Sequence, residues 1–228
     1  MNNKHNTLYL VWNDPKTHEN FIVGSLVRDE VYKFEYFGGY KEAQNRGWDF
    51  LPAFPQDAQY ECDVLFPVFS SRLPDKKRKG IEEILAKYGL PEYDEFELLR
   101  AGGGKLPIDS YSFIDPIFPE DETIEKEFYI AGFRFYAGCT GEYCNNAVTV
   151  RTGDGFELRP EPDNPFDTYA VALYSVNGVK VGYIPNYYSE SVTKRINMKM
   201  TYSCEAIEVN MNSDCTECIK VRLIMPKR

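Results

Sequence analysis

The chain has 228 residues, of which 43% are hydrophobic and 27% charged, a balance typical of globular proteins and not of disordered or fibrous ones. No apolar run is long enough to span a membrane and no secretory signal is visible, so we expect a cytoplasmic protein with reduced thiols. The net charge of −9 argues at first against nucleic-acid binding, because a polyanion is bound through basic side chains.

The negative charge is confined to the first half of the chain. Residues 1–125 contain 14 basic and 23 acidic residues, whereas residues 126–228 contain 12 of each. Residues 115–125 combine two prolines with five acidic residues, which is typical of a linker. We therefore predict a first domain over residues 1–115, a linker over 116–125 and a second domain over 126–228.

The first domain begins with β-favouring runs at residues 8–12, 21–27 and 31–36, the last alternating apolar and polar side chains. An irregular stretch, 38–62, follows. The apolar spacing from Ile81 to Tyr88 then predicts an amphipathic helix, with a start signal at Pro74 and Asp75. A capping pattern at Asp94 predicts a second short helix. The basic run 76–79 fits either a phosphate contact or, the favoured interpretation, a solvated helix end.

Three segments of this domain, 64–75 (VLFPVFSSRLPD), 96–103 (FELLRAGG) and 109–111 (DSY), resemble the N-terminal subdomain of HipA-type toxin kinases. The resemblance implies a β-rich domain with two short helices. The sequence lacks the catalytic-loop and metal-binding motifs of a kinase body, and the remaining hundred residues are too few for one. We therefore expect the fold without phosphoryl transfer, and a protein that is not an enzyme.

The second domain reads as six short strands with one helix, which predicts a small closed or partly open barrel. The predicted strands cover 128–136, 146–151, 169–174, 179–184, 205–210 and 219–224, and the helix covers 189–200. The pair Asn177-Gly178 predicts a hairpin between the third and fourth strands.

Two clusters in this domain suggest a binding site. The segment 159–171 (RPEPDNPFDTYAV) predicts a rigid turn that presents Asn164 and Asp167, because proline restricts the backbone. The segment 132–138 (GFRFYAG) places Arg134 beside Phe135 and Tyr136, a combination that can pair with phosphate and stack on bases of a single strand.

Together with 178–185 (GVKVGYIP), these clusters resemble a HIRAN domain, which implies an OB-like β-barrel that binds the 3′ end of single-stranded DNA. The resemblance implies that Arg134 contacts phosphate and that Phe135 and Tyr136 hold the terminal bases. Asn164 and Asp167 would bind the terminal sugar and its 3′ hydroxyl. The remaining expected site residues are Phe166, as a pocket wall, and Tyr183, facing the nucleotide. Where DNA-binding members tend to offer a basic residue after Ile184, this chain has 185–188 (PNYY).

Six cysteines leave one weak metal candidate. Cys139, Cys144, Cys215 and Cys218 form two pairs that could supply a four-thiolate zinc site, although we expect no metal or other cofactor. Cys62 and Cys204 have the surroundings of buried thiols. The only two histidines, His5 and His18, lie near the N-terminus in polar sequence, which speaks against a histidine-based enzyme.

The resulting hypothesis is an α+β, mostly β protein in which an OB-like HIRAN barrel follows a HipA-N-like domain. The barrel would bind single-stranded DNA 3′ ends or damaged DNA, the first domain would contact a protein partner, and no membrane would be involved. The alternative is a regulatory protein-interaction protein, resembling a detached HipA cap or an antitoxin, that does not bind DNA.

Overall fold

The computed structural model describes residues 6–119, 121, 123–136, 138, 149–210 and 217–226. The chain forms two compact units, Met1–Pro116 and Ile117–Arg228, here called unit 1 and unit 2. Within the described ranges, no helix has the length and apolar character that crossing a membrane requires.

Unit 1 is built on a five-stranded antiparallel sheet with the strand order β4-β3-β2-β1-β5. The strands are β1 (Thr7–Asn13), β2 (Asn20–Arg28), β3 (Tyr32–Tyr36), β4 (Tyr60–Cys62) and β5 (Tyr111–Ile114). The three strands predicted at the start of the chain are confirmed as β1, β2 and β3. Their buried side chains pack with Trp48, Phe54, Phe69 and Phe113 into a core rich in aromatic residues.

The described residues of unit 1 contain four helices, so the prediction of two short helices was wrong. They are α1 (Tyr40–Asn45), α2 (Pro67–Ser70), α3 (Ile81–Lys87) and α4 (Glu95–Gly102). The sequence gives little sign of α1 and α2 because they are six and four residues long and each buries a single side chain. Such short helices show no amphipathic period.

The two predicted helices of unit 1 correspond to α3 and α4. The carboxylate of Asp94 accepts a hydrogen bond from the backbone N–H of Glu97 at 3.0 Å, and this cap starts α4 as the sequence predicted. Gly103 ends α4 in the left-handed conformation, with φ of 70°. Helix α3 begins at Ile81 and not at residue 75, so the basic run 76–79 lies in an exposed turn before it.

Unit 2 consists of two three-stranded antiparallel sheets and two helices in its described part. One sheet has the order β10-β11-β6 and the other β7-β8-β9. The elements are β6 (Ile124–Tyr129), α5 (Phe133–Tyr136), β7 (Phe156–Pro160), β8 (Val171–Ser175), β9 (Lys180–Tyr183), α6 (Asn186–Asn197), β10 (Ser203–Val209) and β11 (Ile219–Met225).

The predicted closed barrel is not found among the described residues of unit 2. Among the described residues, isolated backbone bridges join the two sheets, Ala131 with Tyr183 and Gly155 with Glu205, and no continuous ladder runs between them. The predicted strand 146–151 lies partly outside the described residues and its described part, 149–151, is not in a strand, whereas β7 was not predicted. Sequence patterns also do not show whether strand edges join, since both outcomes bury the same alternating side chains. The observed class is mixed α+β, rich in sheet.

One predicted strand of unit 2 is divided in the structure. Residues 128–136 were expected to form a single strand, but β6 ends at Tyr129 and α5 occupies Phe133–Tyr136. Between them, Ala131 pairs with the other sheet and Gly132 adopts φ of 71°, a left-handed conformation that β-strands do not contain. The hairpin at Asn177-Gly178 is confirmed, because β8 and β9 pair antiparallel across it.

Candidate nucleic-acid interface

The loop that joins β7 to β8 holds three of the predicted site residues in a compact turn. At its base, the N–H of Glu161 donates to the carbonyl of Ala170 at 2.8 Å. Within the turn, Oδ1 of Asn164 accepts hydrogen bonds from the backbone N–H groups of Phe166 at 3.0 Å and Asp167 at 3.3 Å. An Asn side chain that replaces backbone partners in this way fixes the direction of the chain.

The turn presents one aromatic ring and one carboxylate oxygen. The side chain of Phe166 is 87% exposed. Asp167 uses Oδ1 to accept a hydrogen bond from the N–H of Tyr169 at 2.8 Å, while its Oδ2 has no partner among the described residues. That oxygen can therefore accept a hydrogen bond from a ligand hydroxyl, and its negative charge would repel a phosphate.

Helix α5 is held beside this turn by a backbone bridge to β9. Ala131 and Tyr183 exchange two N–H to carbonyl hydrogen bonds, each of 2.9 Å. The approach requires Gly182, because a Cβ atom there would lie 2.5 Å from the carbonyl oxygen of Ala131 and 2.5 Å from Cγ2 of Ile130. The φ of Gly182, 146°, is also one that other residues rarely adopt.

The short helix α5 carries a cation and two exposed rings. Phe135 is 73% exposed and Tyr136 is 40% exposed, whereas Phe133 of the same helix is buried. The guanidinium carbon of Arg134 lies 5.2 Å from the centroid of the Phe135 ring. In the described part of the chain Arg134 has no carboxylate partner. The helix therefore offers an available cation next to aromatic faces.

The hydroxyl of Tyr183 links α5 to the turn through a polar network. It donates to Oε2 of Glu161 at 2.8 Å and accepts from Nδ2 of Asn164 at 3.2 Å. It also accepts from Nζ of Lys180 at 2.5 Å, and the hydroxyl of Tyr136 lies 3.3 Å away. Four side chains from β9, α5 and the turn thus surround the hydroxyl oxygen of Tyr183.

Lys180 is the positive centre of this network. Its ammonium nitrogen donates to Oε1 of Glu161 at 2.7 Å and lies 4.1 Å and 4.9 Å from the ring centroids of Tyr183 and Tyr136. The side chains of Lys180 and Glu161 are 20% and 28% exposed, so solvent reaches both groups. Favourable cation–π contact with two rings restricts where the lysine can lie.

The network changes the proton affinities of its members. Burial alone would lower the pKa of Lys180, but the hydrogen bond from its ammonium to Glu161 raises that pKa above its usual value. Burial would raise the pKa of Glu161, yet hydrogen bonds from Lys180 and Tyr183 lower it. Burial, together with the neighbouring Tyr136 and Glu161, raises the pKa of Tyr183 to about 12. At neutral pH the pair is therefore fully charged and the phenol neutral.

The structure brings the seven predicted residues into one connected group. Tyr136 and Asn164 each contact the hydroxyl of Tyr183. Phe166 and Asp167 join the group through Asn164, and Arg134 and Phe135 share α5 with Tyr136.

Sequence reasoning missed Glu161 and Lys180, although Glu161 lies in the segment 159–171 and Lys180 in the segment 178–185. The available signals were a Glu between two prolines and a Lys that shares a strand face with Gly182. Neither signal predicts a pairing of two residues that lie 19 positions apart in the sequence.

The structure does not test the weak zinc candidate, because three of its four cysteines lie outside the described residues. Cys139, Cys144 and Cys215 lie outside the described residues, and Cys218 is buried next to β11. No cluster of three or more His, Cys, Asp or Glu side chains suited to a metal occurs among the described residues. Cys204 is a buried thiol as expected, and burial raises its pKa to about 12, whereas Cys62 is only half-buried.

A separate groove of about 570 Å³ lies between β7 and β10. It is lined by residues that include Gly155, Glu157, Arg159, Tyr202 and Glu205, and none of the seven predicted site residues is among them. Arg159 at its margin is ion-paired with Glu157 and stacked on a tyrosine ring. The aromatic surface at α5 and the turn has exposed rings and a cation that has no carboxylate partner among the described residues, so its chemistry favours it over the groove as a nucleic-acid contact.

Comparison with family models finds one match in each half of the chain. Residues 125–223 match the family model of the HIRAN domain, and residues 18–107 match that of the HipA N-terminal domain, which confirms both resemblances. The HIRAN match indicates nucleic-acid binding.

Two solved structures are similar to part of the chain. The crystal structure of the HIRAN domain of human HLTF is 18% identical with a TM-score of 0.37, covering 48% of this chain and 84% of that one. A protein from Lactobacillus plantarum is 16% identical with a TM-score of 0.36, covering 45% of this chain and 96% of that one. No curated protein matches the sequence.

Proposed function

We propose that unit 2 is a binding module that recognises the 3′ end of single-stranded DNA and catalyses no reaction. The HIRAN match over residues 125–223 supports nucleic acid as the ligand class. The 3′ end is inferred from the side chains that surround the turn. Damaged duplexes that expose such an end belong to the same ligand class.

The observation that carries this proposal is the group of exposed rings next to Arg134, a cation without a carboxylate partner in the described part of the chain. Phe135 and Phe166 are 73% and 87% exposed, although burying a phenylalanine side chain would stabilise a protein by roughly 1.5–3 kcal/mol. Exposed rings of this kind stack on bases, and such stacking contributes about 1–3 kcal/mol per base. Arg134 lies beside Phe135, where it can pair with the phosphate that joins two stacked nucleotides.

The turn supplies the preference for an end. Oδ2 of Asp167 lacks a partner among the described residues and can accept a hydrogen bond from a 3′ hydroxyl, which exists only at the end of a strand. Residues 126–228 carry equal numbers of acidic and basic side chains, so they offer little attraction to a long polyanion. A neutral surface with one acidic acceptor suits a terminal nucleotide better than the middle of a strand.

A comparison of linear and circular strands tests this proposal. Fluorescence anisotropy would give the dissociation constants of the full chain for a linear single strand, a circle of the same sequence and the matching blunt duplex. We expect the linear strand to bind at least about tenfold more tightly than the circle, because one good polar contact contributes about 1.4 kcal/mol. Equal binding of the line and the circle would contradict end recognition.

A protein contact through unit 1 is the second candidate function. The HipA N-terminal domain match over residues 18–107 favours it, as does the exposed side chain of Ile108, which is 88% accessible. Co-purification of a defined protein with the full chain, lost on Ile108→Glu, would support this role. A chain that binds neither DNA nor a protein would contradict both candidates.

A further inference from the structure

The ion pair between Glu161 and Lys180 lies within the group of residues that we assign to DNA. Lys180 contacts the rings of Tyr136 and Tyr183, both members of the predicted site. Glu161 begins the turn that carries Asp167. Three successive hydrogen bonds connect this pair to Asp167: the pair binds the hydroxyl of Tyr183, Tyr183 binds Asn164, and Asn164 binds the backbone N–H of Asp167.

This arrangement has a consequence for anions near the turn. A lysine next to two tyrosine hydroxyls would, if unpaired, attract a terminal phosphate, because ammonium groups are common phosphate ligands. Here the carboxylate of Glu161 lies 2.7 Å from the ammonium and accepts a further hydrogen bond from Tyr183 at 2.8 Å. The positive charge is therefore balanced inside the protein before any ligand arrives.

We propose that Glu161 determines the end specificity of the site, by neutralising Lys180 so that a 3′ phosphate finds no available cation there. The inference rests on the proposed function, since it concerns which strand end that site accepts. Arg134, which has no carboxylate partner among the described residues, remains the cation for the internal phosphate. In this arrangement the site keeps a cation for the internal phosphate and offers none to a terminal 3′ phosphate.

The charges near the turn support this division. Arg134 and Lys180 lie near three carboxylates, Glu161, Asp167 and the exposed Asp163 of the same turn, so no positive charge is left in excess. Neutralising Glu161 would remove the carboxylate that is bound to Lys180, and the attraction of Lys180 for a terminal phosphate would then oppose the repulsion by Asp167. Because Lys180 and Glu161 are both partly exposed, a ligand can reach them without unfolding of the turn.

The test compares two isosteric variants of the full chain. Glu161→Gln removes the charge at the site, and Glu157→Gln removes the same charge from an exposed ion pair with Arg159 that contacts none of the site residues. The measurement is the ratio of dissociation constants for a strand ending in a 3′ phosphate and the same strand ending in a 3′ hydroxyl. We expect Glu161→Gln to lower this ratio at least about fivefold and Glu157→Gln to leave it unchanged.

A second variant keeps the proposal testable if Glu161→Gln does not fold. Lys180→Met leaves the carboxylate of Glu161 uncompensated, so the ratio should rise at least about fivefold. If Glu161→Gln folds and its ratio equals that of the wild type, the inference is overturned. If only Lys180→Met folds, an unchanged ratio in that variant overturns it. A wild-type chain without any preference would instead contradict the proposed function itself, so the two failures can be told apart.

Discussion

Asn164 donates from Nδ2 to the hydroxyl of Tyr183 at 3.2 Å and so joins the turn between β7 and β8 to strand β9. Its Oδ1 already accepts two backbone hydrogen bonds within the turn. The amide is therefore occupied by the protein on both sides. We expect Asn164 to position the turn rather than to contact the terminal sugar directly, and Asp167 to make that contact.

Arg134→Ala should weaken binding to every single strand about fivefold to tenfold, because it removes the available cation of α5. The slope of log affinity against log salt concentration should fall by about 0.7, the value for one phosphate contact on a single strand. Anisotropy titrations at several salt concentrations measure both quantities. Arg159→Ala is the matched control, since Arg159 is already paired with Glu157. Equal effects of the two variants would contradict a specific role for Arg134.

Asp167→Asn should abolish the preference for a 3′ hydroxyl over a 3′ phosphate. Asparagine keeps an oxygen that can accept the N–H of Tyr169, which Asp167 binds at 2.8 Å, so the turn is preserved. The negative charge that repels a phosphate is lost. The ratio of dissociation constants for the two strands should approach one. A ratio equal to that of the wild type would show that a group other than Asp167 distinguishes the 3′ hydroxyl from the 3′ phosphate.

Gly182→Ala should lower the free energy of unfolding of unit 2 by about 2–4 kcal/mol, through steric overlap and backbone strain. The added Cβ would lie 2.5 Å from the carbonyl oxygen of Ala131. Gly178→Ala is the control, because Gly178 also has a positive φ but no atom lies within 4 Å of the added Cβ. For this variant we expect the free energy of unfolding to fall by only about 1–2 kcal/mol.

The positions of the tryptophans make the unfolding measurement selective. The two tryptophans of the chain, Trp12 and Trp48, both lie in unit 1. Urea unfolding followed by tryptophan fluorescence should therefore be the same for Gly182→Ala and the wild type. Tyrosines occur in both units, so the loss of stability in unit 2 should appear in tyrosine circular dichroism as a shift of the part of the transition that tryptophan fluorescence does not follow. Equal stability of the two glycine variants would contradict the close approach of β9 to Ala131.

Acid should weaken unit 2 through Glu161. The folded pKa of Glu161 is lowered, so its carboxylate contributes stability that is fully present above the ordinary value of 4.5 and lost as the pH falls through the folded pKa. The difference in free energy of unfolding between the wild type and Glu161→Gln should therefore shrink between about pH 5 and pH 3. The comparison is needed because Glu127 and Glu157 of the same unit also have lowered pKa values. A difference independent of pH would contradict the charged pair.

Much of the fold could be predicted because its signals are local. The cap at Asp94, the turn at Gly178 and the alternation in β1 to β3 depend on neighbouring residues. Helix α5 could not be predicted in the same way. The segment Phe133–Tyr136 favours a strand, but the pairing of Ala131 with Tyr183, about fifty residues away along the chain, ends β6 before it.

The site shows the same limit. Arg134, Phe135, Asn164 and Asp167 could be selected because they lie in two short motifs that resemble a known family. Glu161 and Lys180 gain their importance from a hydrogen bond between the loop after β7 and strand β9. No residue pattern within either segment indicates that pairing, because it depends on how β8 places its two neighbouring segments side by side.

The most direct test of the central claim is the binding of the wild-type chain to two strands that differ only at the 3′ end. A labelled single strand with a free 3′ hydroxyl and the same strand with a 3′ phosphate would be titrated at equal ionic strength, since affinities for nucleic acid depend on salt. The account predicts that the hydroxyl strand binds at least about tenfold more tightly. Equal affinity for the two strands would contradict it.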